Sequence, residues 1–469
     1  MINKAGKQLT WLFALKILSR IFDLSLNILV LRDLEPGIYG LTTNLDLLTN
    51  ITLFYLKIVL KQTYSRLKDP NQEQTQSAVN LMYFGLLITI CIAPITVLVM
   101  SYNQSVAFAK TAFLYGISAV IDGASEPYAV QWIIQLKLNV VAKAEGLAVF
   151  MKTIVLYILL GKYTRELFQI ETVIGFGIAQ VIYSIFIFGY IFSLSNQSKF
   201  KQLNKEGVYV VAEMKQVGYQ FTLMAFMKFL LQELEKIVMV IYNNPIISGE
   251  FTLVSHIGSI IPRFIYVNIE QIAFNLFPKI NQEEQTQLLQ KYLKFLNLVG
   301  ISIVSAGIPC ASAFLQIYGS QWTSDSCILA MQLYCIYIWI MGINGITESY
   351  VNSTIDTKDM WWYRYLLIAQ TIIYSLSLVI LVQMGSSGII ISNILSMSVR
   401  IFVSFLIINK QGIKIQWNAI MPKFMILYLL GFLFQYLTEG FQLLVLTALY
   451  YGILGLINIK TVTEVIKSN

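Results

Sequence analysis

Runs of about twenty mostly apolar residues recur from one end of this chain to the other, each long enough to cross a bilayer as a helix. Of its 469 residues 57% are apolar and only 12% are charged, where about a quarter is usual in soluble domains. At a mean hydropathy of +0.66 there is too little polar surface to coat several water-soluble cores, so much of the chain faces hydrocarbon. A soluble enzyme, a disulfide scaffold and a disordered chain are excluded together. The expected class is an all-α polytopic membrane protein, because only helices or closed barrels satisfy every backbone N–H and C=O in lipid.

Fourteen windows qualify, near residues 9–31, 38–62, 80–101, 107–134, 138–160, 170–194, 215–242, 250–277, 292–318, 327–352, 361–383, 386–408, 420–437 and 440–458. The longest polar connection follows the sixth. It divides the chain into an N-terminal six-helix lobe over 1–197, a cytosolic linker over 198–214, a second six-helix lobe over 215–412, and a terminal helix pair with its tail over 413–469. No strong residue-level repeat joins the two halves. Lys and Arg beside the span ends divide 21 to 3, with only Arg32, Lys162 and Arg165 on the sparse side. By the positive-inside rule both termini are cytosolic. Lys4 and Lys7 before an apolar run imitate a signal peptide, but Lys16, Arg20 and Asp23 interrupt it, so the segment is expected to stay attached.

The net charge of +8 is spread between apolar runs rather than gathered in a patch, which speaks for topology and against nucleic acid. Cys91, Cys310, Cys327 and Cys335 sit in or beside apolar stretches without C-x-x-C spacing, and they read as packing residues. No Walker A, H-E-x-x-H or G-x-S-x-G pattern occurs. Neither ATP use, a metal, a cofactor nor catalysis is indicated. Of the four N-x-S/T positions, Asn50, Asn103, Asn196 and Asn352, only Asn103 falls on the side opposite the termini.

What the spans carry that hydrocarbon does not tolerate is more informative, since each mid-membrane charge costs at least about 2.5 kcal/mol. At 100° per residue the first span aligns Lys16, Arg20, Asp23 and Asn27, and the second aligns Asp46, Asn50, Lys57 and Lys61. The seventh places Lys228, Gln232 and Glu235 on one face with Glu233 and Lys236 beside it. In the eighth, His256, Ser259, Arg263 and Glu270 share a face. Shorter sets are Asp122 with Glu126, Glu145 with Lys152, Asn344 with Glu348, and Asn393 with Ser396 and Arg400. Aligned polar stripes on many helices imply a shared hydrophilic cavity. The competing reading of each residue is a local interhelical pair or a snorkelling side chain. His256 reads as a polar liner before a proton carrier.

Several stretches resemble the RFT family of endoplasmic-reticulum membrane proteins. These are Arg20, Asn27, Asn44 and the T-L-F run from Thr52; the Glu126, Pro127 pair followed by Glu145 and Lys152; and the run from Phe226 to Met239. They continue with Arg263 seven residues before Glu270, the Y-C-I-Y run from Tyr334 leading to Asn344–Glu348, and the G-S-S-G run from Gly385 with Asn393, Met397 and Arg400. Two positions depart: Lys57 and Ile58 stand where the family usually has an Arg-Glu pair, and Asp46 stands where a basic residue is usual. The resemblance implies the fold of the multidrug and oligosaccharidyl-lipid exporter superfamily, with two six-helix lobes around a cavity open alternately to either side and two further helices. It also implies translocation of a dolichol-diphosphate-linked oligosaccharide from the cytosolic to the lumenal leaflet for N-glycosylation.

A lipid diphosphate bearing sugars needs cations and hydrogen-bonding groups in place of water. Arg20, Lys57, Lys228, Arg263 and Arg400 are therefore the diphosphate candidates. The polar and acidic cavity candidates are Asp23, Asp46, Glu126, Glu145, Lys152, Glu233, Glu235, Lys236, His256, Glu270, Asn344, Glu348 and Asn393. Expected partners are the glycolipid and membrane lipids. Two rival readings remain open: an accessory protein that binds and delivers the glycolipid without moving it, and a cation-coupled exporter of small molecules using Asp46 or Glu235.

Overall fold

Helix is the only regular structure, whether α, π or 3-10, among the described residues of the computed structural model, as the bilayer argument requires. Those residues are 28–60, 72–134, 138–160, 171–195, 222, 226, 229–230, 232–355, 357–421, 427–428, 430–436, 438 and 440–458. Seven continuous helices among them are long and apolar enough to cross a membrane. The chain divides into two units, residues 1–237 and 238–469.

In the first unit α1 spans Pro36–Leu53, with proline at its start where a missing N–H costs nothing. It runs on without interruption into a π-helical segment, Phe54–Leu60. Then follow α2 (Gln72–Ser101), α3 (Val106–Ile134), α4 (Leu138–Leu160) and α5 (Thr172–Ser195). The third helix is the hub: α1, α2 and α5 all pack on it, and α4 packs on α5. Leu53, Leu56 and Leu60 meet Ala78, Val79, Met82 and Ala119 in one buried cluster. Ala129, Trp132, Ala144, Ala148, Ile187 and Ile191 form a second. Alanine at these contacts lets the backbones approach closely, the usual basis of helix association in lipid.

The second unit opens with α6 (Pro245–Gly258), again with proline at its start and with the Asn244 side chain accepting from the N–H groups of Ile246 and Ile247. A π segment, Pro262–Tyr266, links it to α7 (Val267–Leu276). Next come α8 (Gln282–Tyr318), begun by an Asn281–Glu284 capping box, α9 (Asp325–Thr354), α10 (Thr357–Leu381) and α11 (Ser386–Lys410). A 3-10 segment over Leu430–Tyr436 and α12 (Gly440–Ile457) complete it. Here α9 is the hub for α6, α7, α8 and α11, α10 packs on α11, and α12 packs on α8.

The two units therefore repeat one pairing pattern although their residues show no repeat. The parallel extends to the π segments, which begin 18 residues after Pro36 and 17 residues after Pro245. Two expectations change. The single helix expected over 250–277 is broken into α6, a π segment and α7, because Pro262 cannot donate to the turn before it. The described part of 420–437 is largely 3-10 rather than α-helical.

One buried carboxylate holds three helices of the second unit together. Glu250 on α6 is 4% exposed. Its Oε1 accepts from the Ser324 and Ser326 hydroxyls at 2.7 and 2.6 Å, and its Oε2 accepts from Ser386 at 2.9 Å. Ser324 also caps α9 by accepting from the Cys327 N–H. The charge thus sits at the positive N-terminal ends of α9 and α11. Replacing Glu250 by Ala strands three hydroxyls beside a void and is expected to cost about 1–3 kcal/mol, read as a lowered unfolding temperature of the purified protein. Glu250→Gln keeps an acceptor and should lose less.

Candidate functional site

Three ionisable groups of the first unit meet at the π segment. Lys57 Nζ lies 2.7 Å from Asp122 Oδ2 and 3.6 Å from Glu126 Oε1, the two carboxylates standing one turn apart on α3. Both acids are buried, while the Lys57 side chain is 30% exposed. Asp122 Oδ1 is buried and makes no hydrogen bond among the described residues. Tyr183 on α5 lies within electrostatic reach of all three groups. Lys152 on α4 places its ammonium 6.0 Å from the centre of the Tyr183 ring, whereas Glu145 on the same helix is exposed.

The polar stripe expected on the second span does not act as one surface. Asn50 donates to Glu233 Oε1 at 3.0 Å, and the other Glu233 oxygen pairs with Lys236 at 2.9 Å. Lys57 instead turns to α3, and Asp46 is half-buried on α1. A π segment no longer advances by 100° per residue, so Asn50 before it and Lys57 within it part company. Glu235 is half-buried on the helical stretch 232–242. Arg20, Asp23, Lys228 and Lys61 lie outside the described residues.

A second cluster occupies the hub of the second unit. Asn344 on α9 donates to Glu348 Oε2 at 3.1 Å, and the same oxygen is 3.6 Å from Arg400 Nη1 on α11. Arg400 Nε donates to Gln370 Oε1 at 3.0 Å, and Gln370 in turn donates to Ser396 at 2.8 Å. One turn away the Tyr374 hydroxyl donates to Asn393 at 2.7 Å. Glu270 of α7 also faces α9. Its carboxylate lies against the backbone at Gly345, where any side chain would collide with it, and within electrostatic reach of Glu348. A side chain at this position would need the flexible Glu270 carboxylate to move aside.

The π break also divides the stripe expected on the eighth span. Glu270 turns toward α9, while His256 and Arg263 are exposed. Among the described residues Arg263 has no ion-pair partner, so it differs from Lys57, Lys236 and Arg400, each of which lies within 4 Å of a carboxylate. Asn50 is bonded inside the helix bundle of its unit, and Asn352 lies within α9, so neither presents a glycosylation loop; Asn103 sits in an exposed turn at φ +56°. The four cysteines are unpaired, three of them buried, and no cluster of metal-binding side chains occurs among the described residues.

Sequence reasoning passed over Gln370, Tyr374 and Glu250. Each stands among hydroxyl residues that bond their own helix backbone, so a polar position there did not by itself mark a cluster. Their partners lie on other helices.

The comparisons with known proteins agree with this architecture. Among solved structures, the chain is similar to the lipid II flippase MurJ, with a TM-score of 0.65 at 12% identity over 96% of this chain and 99% of that one. It is also similar to a multidrug resistance MATE family transporter, with a TM-score of 0.56 at 12% identity over 84% and 95% of the two chains. At such identity these likenesses establish the fold alone, a polytopic transporter fold. Among characterised sequences the chain is 24% identical to the Man(5)GlcNAc(2)-PP-dolichol translocation protein RFT1 of Xenopus tropicalis, over 87% of this chain and 83% of that protein. It is 25% identical to the protein of the same name from Dictyostelium discoideum, over 90% of each. The sequence profile of the Rft protein family matches residues 4–466, almost the whole chain, and this multi-pass membrane protein belongs to that family.

Proposed function

We propose that this chain moves a dolichol-diphosphate-linked oligosaccharide from the cytosolic to the lumenal leaflet of the endoplasmic-reticulum membrane, without making or breaking a covalent bond. The substrate class is the one the similar proteins are named for, a Man(5)GlcNAc(2)-PP-dolichol. On this reading the chain crosses the membrane fourteen times, as two six-helix lobes over 1–197 and 215–412 joined by a linker, with a terminal pair over 413–469 and both termini cytosolic. The lobes enclose a polar cavity, and the polyprenyl tail stays in lipid.

The observation that carries the reading is Arg263. It is an exposed guanidinium with no carboxylate partner among the described residues, on a helix that breaks where it would cross the bilayer. A charge so placed is stable only if it meets water or an anion. Guanidinium is also the side chain best matched to two phosphate oxygens at once. We assign Arg263 to the diphosphate; Arg20 and Lys228, which lie outside the described residues, stay candidates from the sequence alone. Lys57 and Arg400 keep a different role, because each already faces carboxylates of its own unit: they hold the polar clusters together. The cation-coupled exporter is disfavoured by the same residue, since a cation within the span that has no ion-pair partner among the described residues repels cationic cargo.

Purified protein in liposomes containing labelled glycolipid tests the function. In protein-free vesicles an impermeant reagent reaches only the outer half of the label. With active protein the whole pool becomes reachable within the assay. A reachable fraction that stays at half while the protein still binds the glycolipid would establish the accessory reading instead. Arg263→Ala is expected to lower affinity for the lipid diphosphate roughly 10- to 100-fold, the loss of one charge-assisted contact, and Arg263→Glu to abolish transport with the unfolding temperature retained. Lys57→Met should do the reverse. It leaves Asp122 and Glu126 buried without their cation, at a cost near the low end of about 3–5 kcal/mol because the Lys57 side chain is 30% exposed, and the double variant Lys57→Met, Asp122→Asn should recover part of that loss in thermal unfolding.

A further inference from the structure

The α7 helix carries three carboxamides that neither the clusters nor the diphosphate site uses. Asn268, Gln271 and Asn275 are spaced i, i+3, i+7, and all three are exposed on one face. The opposite face is apolar and buried, with Ile269 and Ala273 against the hub of the unit. Asn268 donates to the Phe264 carbonyl at 2.7 Å, which leaves its Oδ1 available. Among the described residues no hydrogen bond is made by the side chains of Gln271 or Asn275. Beside these amides on the exposed surface is Phe274, 45% exposed. Arg263 lies on the preceding π segment, on the same continuous stretch of helix.

Depth decides what this face can meet. The helix ends in a 3-10 turn at Phe277–Lys279. With Lys279 at the headgroup level, a rise of 1.5 Å per residue puts Asn275 about 6 Å, Gln271 about 12 Å and Asn268 about 16 Å further along the axis. The last is about half of a 30 Å hydrocarbon core. Three amides on one face at these depths cannot point at acyl chains, where each would lose its hydrogen bonds to water. They face a polar space. A carboxamide offers both a donor and an acceptor, which is what a vicinal hydroxyl pair requires, and an aromatic ring accepts the C–H face of a hexose.

We infer that the exposed face of Asn268, Gln271, Phe274 and Asn275 is a sugar-binding surface that holds the glycan of the lipid while Arg263 holds its diphosphate. The inference rests on the translocation reading given above and adds a second subsite to it. Selectivity is then divided: the guanidinium recognises any lipid diphosphate, and the amide face distinguishes a glycosylated one.

Binding of two probes to purified full-length protein tests it, one being dolichyl diphosphate bearing an oligomannose chain and the other dolichyl diphosphate alone. Wild type should bind the glycosylated lipid at least tenfold more tightly. Asn268→Ala combined with Gln271→Ala should remove most of that difference and leave affinity for the bare lipid unchanged, whereas Arg263→Ala should weaken both. Equal binding of the two lipids by wild type, or an unchanged preference in the double variant, overturns the sugar surface while the diphosphate reading stands. Binding of neither lipid overturns both. Labelling gives a second measure that does not depend on a truncated amide: in a Cys91→Ser background, Asn268→Cys and Gln271→Cys should react with a water-soluble maleimide at least tenfold faster than Leu376→Cys on the exposed apolar face of α10, and the glycosylated lipid should slow that reaction. Reaction at the Leu376→Cys rate would place the α7 face against lipid and overturn the proposal.

Discussion

A charge inside a bilayer has to be paired within the protein or open to a polar space, and the membrane segments of this chain divide between these two states. Lys57 is drawn onto Asp122 and Glu126, and Arg400 onto Glu348 and Gln370. Each grouping ties the hub helix of its unit to a neighbour, α3 to the π segment and α9 to α10 and α11. Interhelical polar contacts of this kind are worth about 0.6–2 kcal/mol each in membrane proteins. Their larger effect is on register, because sliding one helix along its partner by a turn would leave a buried ion unpaired.

The π segments show how that requirement shapes the backbone. Each unit begins its described core with a proline-started helix that changes to π geometry about five turns later, and each π segment carries one of the relevant cations, Lys57 or Arg263. A π turn adds a residue to the circumference and redirects every side chain after it. In the first unit the redirected cation meets two acids. In the second, Glu270 is turned toward Gly345 and Glu348, while Arg263 stays outside. The same backbone device thus produces a closed ion pair in one half of the chain and an open guanidinium in the other.

These outcomes also mark how far the sequence could be read. Membrane class and helix content follow from hydropathy alone, because lipid leaves the backbone no other choice. The pairs Asp122 with Glu126 and Asn344 with Glu348 were legible as well, since i, i+4 spacing inside one regular helix fixes a shared face. Lys57 with Asp122 was not, being a contact between helices 65 residues apart in sequence. The stripes drawn through Asn50 and Lys57, and through His256 and Glu270, crossed positions where the helix changes its winding, and a constant 100° rotation fails there. Only Pro262 gave a visible warning; the π segment at Phe54–Leu60 contains no proline or glycine. Glu250 escaped for another reason. Its stability comes from Ser324, Ser326 and Ser386 on two other helices, and nothing along α6 announces them.

The contrast between paired and open groups bears on what a carrier of a bulky anionic head must achieve. An anion approaching Lys57 or Arg400 has to displace carboxylates already within 4 Å, so it gains little net attraction there. An anion approaching Arg263 meets no ion pair among the described residues. If every cation were as open as Arg263, the headgroup would be held too tightly to leave; if every cation were as paired as Lys57, it would have no reason to enter. On the proposed reading, Arg263 and the α7 amides would together give a weak, multi-point hold, in which hydroxyls exchange water for carboxamides at little net cost and the guanidinium contact sets where the diphosphate pauses. Transfer between leaflets then depends on lowering the desolvation barrier rather than on deep binding, which is the physical condition for release on the far side.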